Sequence, residues 1–215
     1  MKNSVYTALA IILAVAFSIM GNVAAAQETV FGLKGGANFS NLTLENNNDK
    51  NILTGFHVGG WVSLPLSEQF SIQPELLWST KGTRWETQES AMSADAKVKL
   101  DYLEVPVNFV YNLARDVDFQ LGPYVGLLLN SKAEASLSSG SGSVMVFEDL
   151  DRSNFKTADF GLQGGMRFAL KPLYLGFTYK LGLSEVADSG NARTFFGDAS
   201  NRSIQVFVGY AFSSK

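Results

Sequence analysis

Cysteine is absent from this chain, and histidine occurs once, as His57. An exported domain of this size without disulfides draws its rigidity from elsewhere, and a closed sheet is one such source. Long apolar runs are also missing. After residue 26 none reaches 18 residues, which excludes helical membrane spans. A β-barrel escapes that test, because only every second residue of its strands faces lipid. Basic clusters are lacking as well. The chain has 17 Lys and Arg against 20 Asp and Glu, a net charge of −3, which argues against nucleic acid as a partner.

The first residues read as a targeting segment. Met1 and Lys2 give a basic start, Val5 to Met20 is almost unbroken apolar sequence, and Ala24-Ala25-Ala26 supplies small residues before Gln27. That order is a secretory signal peptide over 1–26, cleaved after Ala26, and it leaves 27–215 as one domain. An N-terminal membrane helix fits less well, because polar Asn22 and the small-residue site follow at once. No Cys marks a lipoprotein anchor.

In the rest of the chain the hydrophobic period is two. Apolar and polar or small residues alternate over Phe31–Ser40, Gly55–Leu64, Phe70–Ser79, Tyr102–Tyr111, Phe119–Asn130, Asp159–Phe168, Leu173–Gly182 and Ser203–Phe212. Each run is about ten residues long, the length a tilted strand needs to cross a bilayer. The connections alternate too. Pro65–Gln69, Asn112–Asp116 and Ala169–Pro172 are tight turns, whereas Leu42–Leu53, Glu86–Lys97, Lys132–Lys156 and Ser184–Asn201 are expected to be long polar loops. The pattern predicts an all-β fold: a closed, eight-stranded, antiparallel up-and-down transmembrane β-barrel with short periplasmic turns and long extracellular loops. Pro74, Pro106 and Pro123 fall inside the strands, where each removes a ladder donor, and are expected at bulges or kinks.

Periodicity alone leaves open which face is inside, since a soluble lipocalin-like ligand carrier would bury the apolar one. The polar face, however, mixes glycines such as Gly32, Gly122, Gly165 and Gly209 with Trp61, Tyr102, Tyr124, Tyr174 and Phe207. That mixture suits the narrow lumen of an eight-stranded barrel, whereas a solvated surface has no use for strand glycines. On the apolar face Phe31, Phe70, Tyr111, Phe119, Phe168 and Phe212 lie beside the short turns, and Phe39, Phe56, Trp78 and Tyr179 lie toward the other rim. Two aromatic rings of this kind mark membrane interfaces.

Four segments, Gly32-Leu33-Lys34-Gly35-Gly36-Ala37-Asn38-Phe39-Ser40, Gln73 to Gly82, Tyr102-Leu103-Glu104-Val105-Pro106-Val107 and Gly122-Pro123-Tyr124-Val125-Gly126, follow in that order. In order and spacing they resemble the PorT-type outer-membrane β-barrel family of Bacteroidetes, across essentially the whole mature chain. The resemblance implies an outer-membrane location and a barrel in contact with outer-membrane lipid. The family's namesake is tied to the type IX secretion machinery, so envelope or secretion proteins, met through the loops, are the partners the resemblance implies.

Seven charges fall on the inward face: Lys34, Glu75, Lys81, Glu104, Asp159, Arg167 and Lys180. Charges in a narrow lumen must be paired, and the simplest account is a structural salt-bridge network that plugs the barrel. A gated path for small polar solutes is the functional alternative. His57, with Ser63 or Ser79 as nucleophile and Glu75 or Glu104 as orienting acid, is the one catalytic set available to a lipid-modifying enzyme, but no motif links these residues. Glu148, Asp149, Asp151 and Asn154 form an acidic group whose spacing matches no calcium loop. Glycine runs such as Gly161-Leu162-Gln163-Gly164-Gly165 lack the strand-to-helix context of a nucleotide loop. The expectation is therefore a structural or interaction barrel with no catalytic residue, no cofactor and no metal.

Overall fold

A computed structural model of the chain describes residues 29–43, 52–89, 92–139, 142–149, 155–187 and 199–213. The proposed signal peptide lies outside the described residues. Nine strands follow one another: β1 (Val30–Thr43), β2 (Leu53–Pro65), β3 (Phe70–Glu89), β4 (Met92–Ala114), β5 (Val117–Ser139), β6 (Gly142–Asp149), β7 (Ala158–Leu170), β8 (Leu173–Glu185) and β9 (Ser200–Ser213). Eight of them close a ring, each antiparallel to its neighbours, in the order β1-β2-β3-β4-β5-β7-β8-β9 and back to β1. The ninth, β6, pairs with the outer end of β5. Closure leaves no open edge within the ring, which a lipid-embedded sheet requires.

The three expected turns join β2 to β3, β4 to β5 and β7 to β8. In the first, the Ser67 hydroxyl accepts from the backbone N–H groups of Gln69 and Phe70, so the turn closes on its own sequence. At the other end the structure corrects the sequence reading. Glu86–Lys97 and Lys132–Lys156, expected to be polar loops, are largely strand. β3, β4 and β5 run for 20, 23 and 23 residues against 13 or 14 in the other ring strands, and pairing continues to Glu89↔Met92 and Ser139↔Gly142. β3 to β6 thus form a four-stranded ribbon that rises beyond the ring. Ser184, Glu185, Ser200 and Asn201 likewise belong to β8 and β9, while 188–198 and 44–51 lie outside the described residues.

The prolines also differ from expectation. Ladder pairing is interrupted at Gln73–Pro74 opposite Val62–Ser63, at Glu75–Leu76 opposite Val105–Pro106, and at Val107–Asn108 opposite Gly122–Pro123. Register is the same on both sides of each gap, so the missing donors open the ladder locally without a bulge. The bulges lie elsewhere: between Asp101 and Tyr102, between Asn112 and Ala114, and between Leu181 and Glu185. The first sets Leu128 opposite Tyr102 but Asn130 opposite Asp101, so Leu129 is the extra residue.

Within the ring the apolar face points outward. Phe31, Leu33, Phe56, Val58, Leu76, Trp78, Phe119, Leu121, Phe160, Leu162, Phe177 and Val208 are all exposed. Outward residues of six strands run from one aromatic, leucine or isoleucine rim to the other over eight residue steps: Phe31–Phe39, Phe70–Trp78, Leu103–Tyr111, Phe119–Leu127, Phe160–Phe168 and Ile204–Phe212. At about 3.3 Å per residue and a tilt of about 40°, that is roughly 20 Å of apolar height, close to an outer-membrane hydrocarbon band. On the ribbon side the band ends abruptly. Two residues past Trp78 and Leu103, the outward positions are Thr80 and Asp101, hydrogen-bonded to each other at 2.7 Å.

Two apolar layers close the interior. Val98, Leu100, Tyr102, Leu128, Phe155, Val186, Ala187 and Ala199 form one at the ribbon end. Trp61, Ala169 and Tyr174, backed by Val30 and Ala211, form the other at the turn end. Glycines make room for both. A side chain at Gly32 would collide with the Trp61 ring, and Gly82, at φ +149° where β3 leaves the ring, has the Val98 carbonyl where its side chain would be.

Candidate functional site

Alternation places the polar side chains of neighbouring strands in one lumen, and there the seven sequence-predicted charges meet. All are buried: Lys34, Glu75, Lys81, Glu104, Asp159, Arg167 and Lys180. They form two groups. On the turn side, Lys34 Nζ lies 2.5 Å from Glu75 Oε2. Gln73 Nε2 and Asn108 Nδ2 donate to Glu75 Oε1 at 2.8 and 3.0 Å, and Gln163 Nε2 donates to Asn108 Oδ1. Arg167 donates to Asp118 through Nε and Nη2, donates to Gln73 through Nη1, and stacks its guanidinium over Tyr174 at 4.6 Å. On the ribbon side, Glu104 receives Lys81 and Lys180, each at 2.5 Å. Lys81 also pairs with Asp159 at 3.0 Å, and Asp159 accepts from Ser184, Asn201 and Tyr124. Lys81 and Lys180 sit over the Tyr124 ring at 4.5 and 5.1 Å.

Sequence reasoning missed the residues that complete these groups. Asp118 was missed because it sits beside a turn, where an exposed acid is ordinary. Gln73, Asn108 and Gln163 were missed because an inward amide gives no sign of the charge it serves. The inward parity of all four was the available signal. With Asp118 included, the buried Lys, Arg, Asp and Glu side chains among the described residues of the lumen are four cations and four carboxylates.

The catalytic alternative has a definite geometry. His57 and Ser79 are direct cross-strand partners, and Asn38 joins them. Asn38 Oδ1 lies 2.7 Å from His57 Nδ1, while Asn38 Nδ2 donates to Ser79 Oγ and to the carbonyls of Phe56 and Thr80. A nucleophilic serine needs its hydroxyl on the imidazole. Here the hydroxyl is held by the amide, and His57 Nε2 has no hydrogen-bond partner among the described residues. All three side chains are buried, at 0 or 1 % exposure. Ser63 lies six residues along β2, roughly 20 Å away. Glu75 and Glu104, the two orienting acids considered, are taken by lysines. Among the described residues no group of His, Asp and Glu could hold a metal ion, and of the acidic quartet Asp151 and Asn154 lie outside them.

The ring with its apolar exterior is matched at the level of sequence: residues 25–188 fit the profile of the outer membrane protein beta-barrel domain. The chain belongs to that family. It is an outer-membrane β-barrel protein, and the lipid-facing assignment of its apolar side follows from the location. No curated protein matches the sequence. Solved structures similar to the chain include Ail of Yersinia pestis, crystallised with the heparin analogue sucrose octasulfate. It is 15% identical with a TM-score of 0.47, over 86% of this chain and all of that one. Neisserial surface protein A is 13% identical with a TM-score of 0.47, over 85% and 97%. The N-terminal barrel of Pseudomonas aeruginosa OprF is 12% identical with a TM-score of 0.31, over 86% and 98%.

Proposed function

We propose that this outer-membrane barrel is a sealed, non-catalytic anchor. In this reading it is a PorT-type protein of Bacteroidetes, processed after Ala26, whose extracellular ribbon meets envelope or secretion proteins. The observation that carries the reading is the closed lumen. Four buried cations balance four buried carboxylates, and an apolar layer lies at each end of that network. A balanced, internally bonded lumen offers neither the net charge that selects an ion nor a wetted path for it, and hydrophobic constrictions block conduction by dewetting. The wiring of Asn38, His57 and Ser79 argues in the same direction against hydrolysis.

Planar-bilayer recording tests this directly. The folded chain is expected to give a silent bilayer, and the double substitution Leu100→Ser with Leu128→Ser, which wets the ribbon-end layer, is expected to give at most brief openings. Steady single-channel steps from the unmodified chain would replace the anchor by a channel. Acyl hydrolysis in detergent that disappears in His57→Ala would replace it by an enzyme.

A further inference from the structure

The ribbon ends on an open strand. Among the described residues β6 pairs with β5 alone, and the sheet order stops there. Its pairing partners, Lys132–Ser139, all lie past Asn130, the residue opposite Asp101 where the apolar band ends, so β6 stands outside the lipid. Three consecutive side chains, Val144, Met145 and Val146, are 63, 67 and 55 % exposed, so at these positions both faces are apolar and, among the described residues, uncovered. Edge strands in water are normally blunted by lysine, proline or a bulge. β6 reads Gly-Ser-Val-Met-Val-Phe-Glu-Asp and carries none of these, and its pairing with β5 runs without a register shift.

Resting on the anchor reading above, we infer that β6 is a strand-addition site, which takes an extended segment of another polypeptide as a fifth strand of the ribbon. The main chain of β6 supplies the hydrogen bonds, and its alternate side chains supply selectivity. Val144 and Val146 on one face and Met145 on the other suit a segment that is apolar on both faces. Glu148 and Asp149 end the strand in two acids, so a basic residue belongs at the corresponding end of the partner.

A second copy is the less suitable occupant. Two copies in one membrane cross it in the same direction and at the same depth. Their β6 strands would therefore meet parallel and nearly in register, with Glu148 beside Glu148 and Asp149 beside Asp149, and like charges set side by side are destabilising. An incoming peptide is free to run antiparallel and to bring the opposite charge.

The test uses the full chain in nanodiscs and a fluorescent seven-residue peptide of alternating valine and isoleucine with lysine at both ends, followed by anisotropy. Saturable binding is expected, with at least a tenfold loss when the three central amides of the peptide are N-methylated. That change removes donors and leaves the barrel untouched. Val144→Lys with Val146→Lys should weaken binding by a similar factor. Absence of saturable binding, or equal binding of the N-methylated peptide, overturns the inference. So does a concentration-dependent dimer trapped as a disulfide by Met145→Cys. Conductance of the same preparation separates the two readings: silence without peptide binding removes the strand-addition site alone, and steady conductance with peptide binding removes the sealed anchor alone.

Discussion

Strand β4 crosses two solvents, and its two halves are inside out with respect to each other. Between Leu103 and Tyr111 the outward residues are apolar, and the inward ones include Glu104 and Asn108, both fully buried. Between Lys97 and Asp101 the inward residues are Val98 and Leu100, at 8 and 0 % exposure, and the outward ones are Lys97, Lys99 and Asp101. The neighbours match. Arg84 pairs with Asp95 and Lys99 with Glu134 on the outside of the ribbon, whereas Lys81, Lys180 and Glu104 pair on the inside of the ring. The backbone is one continuous strand, so the reversal is written entirely in the side chains. In lipid the polar groups have only the lumen to go to. Above it they have water, and the hydrophobic effect takes back the interior.

The two kinds of ion pair should therefore differ widely in worth, and the largest effect belongs to the ring. Glu104→Ala leaves Lys81 and Lys180 buried with Asp159 as the only nearby acid of their group. Removing one partner of a buried network costs about 3–5 kcal/mol, measurable as a lower urea midpoint for loss of the heat-modifiable gel band. Glu134→Ala, which removes the acid of the half-exposed Lys99 pair on the ribbon, should cost no more than about 1 kcal/mol. Equal costs would mean that the lumen is wet and the contrast between the halves is false.

Next in size is the lipid face. Val208 lies at mid-height on β9, outward and half exposed. Val208→Arg should cost about 2–4 kcal/mol in phospholipid, and a cation nearer the rim should cost less. Lys97→Leu, the reverse exchange on the outward face of the ribbon, should change stability by about 0.5 kcal/mol or less. A tolerated Arg at 208 would place the bilayer elsewhere on the barrel.

The sequence made the ring readable because a period of two, carried over eight segments, has one closed solution in lipid. Tight turns and aromatic rims were readable for the same reason, and the seven inward charges followed from parity. The ribbon was not. Past Leu128 the bulge at Leu129 shifts the parity of β5, so Ser131 and Ala133 take the inward side where a strict count from Leu127 would place them outside. Serine-rich stretches such as Ser136–Ser143 then carry no alternation to follow, and a polar strand in water reads like a loop. What holds Ser136 to Ser139 in a sheet is pairing with β4 on one side and with β6 on the other. The hydrogen-bonded amides were hidden for a different reason: their partners lie across the barrel, as with Gln163 and Asn108, 55 positions apart.

The smallest expected effect is one of pH, and it sharpens the contrast from the ribbon side. Arg84 Nε and Nη2 donate to both oxygens of Asp95, and Lys97 lies 3.4 Å from the same carboxylate. The Arg84 hydrogen bonds hold the Asp95 carboxyl below the ordinary aspartate value, and burial opposes them only partly. A depressed folded value means that the pair contributes its full share above the ordinary aspartate range and loses it as pH falls through the folded value. The Arg84 Nε–H resonance, followed by NMR in micelles, should hold its shift down to about pH 4 and move only below that. Because the pair is largely exposed, the unfolding midpoint should barely change over the same interval, and added salt should reduce even that change. A transition at or above the ordinary aspartate value would show that Arg84 and Asp95 do not meet in solution, and the ribbon's outward face would lose its ionic lacing.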